Sequence, residues 1–233
     1  MSTDTPGERA HEEPPTVPAW RRRTDGEQRW WVVLALVAAI ALEALMPSRF
    51  TLHPRYLVVA IASVWLLVLV ITHPDRTSRR SPALRRASIV LLVLITLANA
   101  ISVGRLIHAI VSGHALPARE LLVGGAEIWL TNVIIFSQVY WEYDRGGPAA
   151  RAAGDQQVPD LLFPQMTDDT LGRDWEPNYL DYLFVSYTNS TAFSPTDTMP
   201  LSRWCKVLFM AQSAVSLVTV GLIAARAVNI LPN

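Results

Sequence analysis

The 233-residue sequence predicts an all-α, polytopic integral membrane protein with five transmembrane helices and one short re-entrant or interfacial helix before the last span. Three observations predict it. Hydrophobic residues make up 51% of the chain and charged residues 17%, against roughly 25% charged in soluble domains. Apolar runs at 30–46, 56–72, 87–111, 120–141 and 204–230 read as helices for a hydrocarbon core that takes about 20 residues to cross. Trp30, Trp31, Tyr56, Tyr140, Trp141 and Trp204 stand at the ends of these runs, where amphipathic rings anchor at the headgroups.

Residues 1–28 are polar, with Pro14, Pro15 and Pro18 and no apolar periodicity, and are expected to be a disordered cytoplasmic tail. Arg21, Arg22 and Arg23 precede the first apolar run as in a twin-arginine signal. That run is long for a signal core and no small-residue cleavage site follows, so it reads as a retained helix. Residues 29–141 form the four-helix transmembrane region, with Pro47, Pro54, Pro74 and Pro117 in its turns, where a fixed φ and a missing N–H stop helices. A hydrophilic linker is expected over 142–176, and a half-length helix, a loop and the last span over 177–233.

Loop charge orients the bundle. The N-terminal flank and second loop carry Arg21, Arg22, Arg23, Arg29, Arg76, Arg79, Arg80, Arg85 and Arg86; the first and third loops carry Arg49, Arg55 and Arg119. Nine against three places the N-terminus in the cytoplasm, and residues 142–203 on the same side. All basic residues but Lys206 are arginine, which reads as a GC-rich bacterial coding bias; a multi-pass protein of the bacterial inner membrane is expected. Twenty bases balance twenty acids, so charge gives no argument for nucleic acid. Cys205 is the single cysteine, which excludes an intramolecular disulfide. No two histidines share a helix face at ligand spacing, and no hydrolase, zincin, nucleotide-loop or dinucleotide motif is present. No metal, cofactor or enzymatic activity is expected. The expected partners are the lipid bilayer, copies of the chain if it forms a pore, and a membrane protein if it does not.

Two sets of residues carry chemistry. The first is the segment after the half-length helix. Glu176 and Pro177 begin that helix, acid and proline in its first turn. Leu180, Leu183, Phe184 and Tyr187 recur at helical spacing, leaving Asp181, Ser186 and Asn189 for another face. Thr191, Phe193, Ser194, Thr196 and Asp197 follow in T-A-F-S-P-T-D-T-M-P-L-S. In one reading they offer oxygens to a hydrated ion; in the other they make a turn that caps the next element. The second set is ionisable groups within the spans: Glu43, Arg105, Glu127 and Arg226, two acids and two bases at comparable depths. They read as interhelical ion pairs or as the lining of a hydrated vestibule. Gln212, Ser216 and Thr219 add a polar stripe to the last helix, a helix–helix contact face or a pore lining.

The order short helix, T-A-F-S-P-T-D-T-M-P-L-S and final helix resembles the pore loop of potassium-type channels. Thr191, Phe193, Asp197, Pro200 and Ser202 stand at the family's Thr, Val, Asp, Pro and Thr positions. Ser194, Pro195 and Thr196 replace the Gly-Tyr-Gly whose carbonyls dehydrate potassium. The resemblance implies a channel-like pore module without potassium selectivity. A non-conducting scaffold or accessory subunit is the alternative. A second resemblance, carried by residues 181–187, 191–197, Arg203 and Val228-Asn229, is to an uncharacterised bacterial inner-membrane family, domain of unknown function 1345. It implies this architecture and no reaction.

Overall fold

The computed structural model describes residues 17–28, 30–51, 56–72, 82–112, 117–155, 158–168, 170–191 and 197–230. Seven α-helices carry most of them: α1 (Trp30–Leu45), α2 (Leu57–Thr72), α3 (Pro82–Val111), α4 (Ala118–Tyr143), α5 (Pro148–Ala153), α6 (Tyr179–Thr191) and α7 (Arg203–Ile230). Two short strands, β1 (Leu161–Leu162) and β2 (Met199–Pro200), pair antiparallel, Leu161 with Pro200 and Leu162 with Met199.

Among the described residues, three stretches are long and apolar enough to cross a membrane: Ser88–Val111 in α3, Arg119–Ala153, which contains α4, and Arg203–Ala225 in α7. The sequence leads one to expect five. The other two, α1 and α2, are apolar but have 16 residues each, about 24 Å of helix against a hydrocarbon core of about 30 Å.

The central element is α4. It completes a ring in which α1 packs on α2, α2 on α3, and α3 and α1 on α4, and it also contacts α6 and α7, which touch α1 and α3 respectively. Close approach is built into its sequence. A Cβ on Gly124 would lie 2.8 Å from the Phe50 ring, and one on Gly125 would lie 1.9 Å from Ile223 Cδ1. The outer faces are apolar and bare: Ile61, Val64, Leu67 and Ile71 on α2, and Val207, Met210, Leu217 and Val220 on α7, are all exposed. A water-soluble monomer rarely shows apolar patches beyond a few hundred Å². Polar residues face inward instead: Asn132, Gln138, Ser186, Gln212, Ser216 and Thr219 are buried.

The C-terminal end of α4 carries a compact polar cap. Arg145, in a left-handed conformation at φ 50°, is buried with Asp144. Its Nη1 donates to Trp20 O at 2.5 Å and its backbone N to Asp160 Oδ2 at 2.9 Å. Asp144 accepts from the Asp160 and Leu161 backbone N–H groups and from the Tyr182 hydroxyl. Arg151 donates to Trp141 O and Asp144 O, and Trp204 Nε1 donates to Asp160. Every charge in this cap has a partner, so it ties the linker, α6 and α7 to α4.

Residues 17–28 were expected in a disordered tail. Instead Ala19 and Trp20 are buried, and Ala19 N donates to Arg173 O at 3.0 Å. Residues 1–16 lie outside the described part. The linker is folded too: Phe163 is buried and stacks at 5.5 Å on Trp175 and, edge-on, on Tyr182.

Candidate functional site

The half-length helix starts on a reciprocal cap. Asn178 Oδ1 accepts from Leu180 N, while Asp181 Oδ2 accepts from Asn178 N, the capping-box arrangement. Glu27 adds a third clamp. Its Oε1 accepts from Tyr179 N at 2.5 Å and its Oε2 from Trp141 Nε1 at 2.7 Å. Burial raises the Glu27 carboxyl above the ordinary carboxylate range, against the lowering pull of those two hydrogen bonds. Nothing at sequence level singled out Glu27, because its partners lie more than a hundred residues away.

From that start α6 runs antiparallel along α4. Tyr182 bonds Asp144 at the end of α4, Ser186 Oγ donates to Val133 O at 2.6 Å, and Trp129 Nε1 donates to Ser190 O at 3.5 Å. Thr191 therefore stops beside the middle of α4, and its hydroxyl donates back to Thr188 O within α6. By Met199 the chain is again at the α4 C-terminal end, paired with β1, whose Leu161 N bonds Asp144. α7 departs from that same end. α6 thus runs from the C-terminal end of α4 to its middle, and β2 stands at that C-terminal end again.

Between α6, α4 and α7 lies a polar seam centred on Gln212, which is fully buried. Gln212 Nε2 donates to Ser186 O at 2.9 Å and contacts Ser186 Oγ and Ser190 Oγ at 2.6 and 2.7 Å. Gln212 Oε1 accepts from Tyr140 OH at 2.6 Å and from Asn189 Nδ2 at 2.9 Å. Ser213 Oγ donates to Asn189 Oδ1 at 3.0 Å, and Asn132 Nδ2 donates to Ser216 Oγ at 3.0 Å. Thr219 is buried and its hydroxyl bonds Val215 O of its own helix. The stripe Gln212, Ser216 and Thr219 is thus a contact face inside one chain. Interhelical hydrogen bonds supply the cohesion that apolar burial cannot supply in lipid.

The remaining candidates fall as follows. Asp197 is exposed; Phe193, Ser194 and Thr196 lie outside the described residues, as does the Arg226 side chain. Glu43 and Glu127 are buried. Arg105 donates to the backbone carbonyl of Thr51, in the α1–α2 connection. A partner there makes it an anchor for that connection instead of half of a carboxylate pair. The described residues contain no group of three or more His, Cys, Asp or Glu able to hold a metal ion.

No protein-family model matches the chain, and neither a curated protein nor a solved structure matches it.

Proposed function

We propose that the chain is a five-span bacterial inner-membrane protein carrying a channel-like pore module of unknown ion selectivity, assembled from several copies. The supporting observation is the path of α6: a 13-residue helix, about 20 Å long, that ends beside the middle of α4 and returns to the end where it began. Irregular backbone at that depth is tolerated where it lines water or is covered by protein. Thr191, Phe193, Ser194, Thr196 and Asp197 are the residues we assign to meeting an ion, in the sequence layout that resembles a potassium-type pore loop. Without glycines there, potassium selectivity is not proposed. Nine arginines against three favour a cytoplasmic N-terminus, so the loop enters from the cytoplasmic side. The shorter α1 and α2 complete the five spans, their bare apolar faces meeting lipid with help from the flanking Trp30, Trp31 and Tyr56.

The test is ion flux from liposomes containing the purified chain. Flux that Asp197→Asn and Thr191→Ala alter supports the pore. No flux, with both variants silent in cells, sinks it. A second reading, a non-conducting scaffold or accessory subunit, has its own support: the Gln212 seam is closed by internal hydrogen bonds and presents no open polar lining. Co-purification of a stable partner whose loss mimics deletion of this chain favours that reading.

A further inference from the structure

The ring formed by α1, α2, α3 and α4 holds buried oxygens of Glu43, Asn99 and Thr131 that have no hydrogen-bond partner among the described residues. Helix register brings them to one level. Gln138 Nε2 donates to Val32 O at 3.4 Å, and Phe50 packs under Gly124, so α1 and α4 run antiparallel. Eleven residues on from Val32 (43 − 32) and eleven back from Gln138 (138 − 127) place Glu43 opposite Glu127. On α1, Val32, Leu36, Ala39 and Glu43 form the buried stripe. On α3, Leu91 and Ile95 cluster with Ile135, and Val103 and Leu106 with Leu121 and Ile128. Asn99 falls between those two groups, across from Thr131.

These side chains are deeply buried: Glu43 is 5% exposed, Asn99 5% and Thr131 0%. Glu43 Oε2, Asn99 Oδ1 and Thr131 Oγ1 are buried without a hydrogen-bond partner among the described residues. The threonine is informative. Thr96, Thr188 and Thr219 each bond the carbonyl one turn back in their own helix, the usual resting place of a helical hydroxyl. Thr131 does not. A buried oxygen left unsatisfied loses the hydrogen bonds it made to water, and three at one level call for an occupant.

We propose that this level of the ring is a binding site for a hard monovalent cation, held by Glu43, Asn99 and Thr131 with Glu127 completing the donors. The donor set is all oxygen: carboxylate, amide carbonyl and hydroxyl. Hard cations take oxygen ligands, whereas zinc and copper sites draw on imidazole and thiolate. A cation there gives the Glu43 carboxylate, which has no ion pair among the described residues, the charge it lacks. It also joins α1, α3 and α4 by bonds that the side chains do not make directly. The site stands independently of whether the α6 loop conducts.

Sodium is the probe. Thermal unfolding of the purified full chain is followed in NaCl and in choline chloride at equal ionic strength, together with direct binding of radioactive sodium. The site requires a saturable rise in the unfolding temperature with sodium and one sodium bound per chain. Thr131→Val and Asn99→Leu remove oxygens that bond nothing, so both variants fold in choline at least as well as the parent. They should weaken sodium binding about tenfold or more, and Glu43→Gln should do the same. Unfolding that is indifferent to sodium overturns the proposal, as does an equal rise in sodium and choline. Full sodium binding retained by both Thr131→Val and Asn99→Leu overturns it too.

Discussion

At the scale of single residues, Glu27 shows how a distant side chain fixes a local start. Its two carboxylate oxygens take an N–H from the first residue of α6 and one from the last turns of α4. Burial raises its carboxyl above the ordinary range. The folded chain therefore keeps the Glu27 proton to a higher pH than the unfolded chain does. The stability this contributes is fully present below the unfolded value and is lost as pH rises through the folded one. Glu27→Gln should flatten that fall in denaturation midpoints measured upward from about pH 4.5. It should also lower stability overall, because an amide has one acceptor oxygen for two donors. An unchanged pH profile in the variant would contradict the assignment. The ionisable residues were legible as unusual, but their partners were not. Matching signs and depths suggested interhelical pairs or a vestibule lining, and the partner of Arg105 is the loop carbonyl of Thr51.

At the scale of elements, α6 and α7 were legible in extent, and the polar stripe of α7 in its role, while the apolar repeat of α6 did not say which face would be covered. The apolar repeat Leu180, Leu183, Phe184 and Tyr187 has the look of a core-facing stripe. Leu180, Phe184 and Tyr187 are instead exposed, and Tyr179, Tyr182, Ser186 and Ser190 are buried. The inversion has a physical cause: where the surroundings are lipid, apolar side chains gain nothing by facing inward, while hydroxyls and amides gain one another. The seam around Gln212 is the result. Gln212→Leu removes an acceptor from Tyr140 and Asn189 and a donor from Ser186 and Ser190. It should destabilise the protein by about 2–4 kcal/mol in detergent unfolding. Adding Tyr140→Phe should cost less than its effect alone, because the hydroxyl it deletes is already stranded. Strict additivity would mean that the two side chains do not share a hydrogen bond.

For the whole molecule, composition and run length announced an apolar helical bundle, and the three longest spanning stretches follow from them. Periodicity could not show which helix sits at the centre. α4 is central because Gly124 and Gly125 let neighbours approach it and because Asn132, Ser137, Gln138 and Tyr140 find partners on surrounding helices. Nor could composition distinguish a linker from a cap, since the buried Arg145 and Asp144 look like ordinary loop charges until Asp160, Tyr182 and Trp20 close around them.

α6 ends beside the middle of α4 and β2 stands back at the α4 C-terminal end, and the proposed pore module makes the connection between them re-entrant. The most direct measurement is the depth of a nitroxide attached at Ser194→Cys in lipid vesicles, compared with nitroxides at Asp168→Cys and Leu201→Cys. Cys205 is buried and does not compete for label. A re-entrant loop places the Ser194 label at mid-bilayer depth, with the other two at one aqueous interface, the same one. A Ser194 label lying at that interface beside them, or reaching the opposite face, would contradict it.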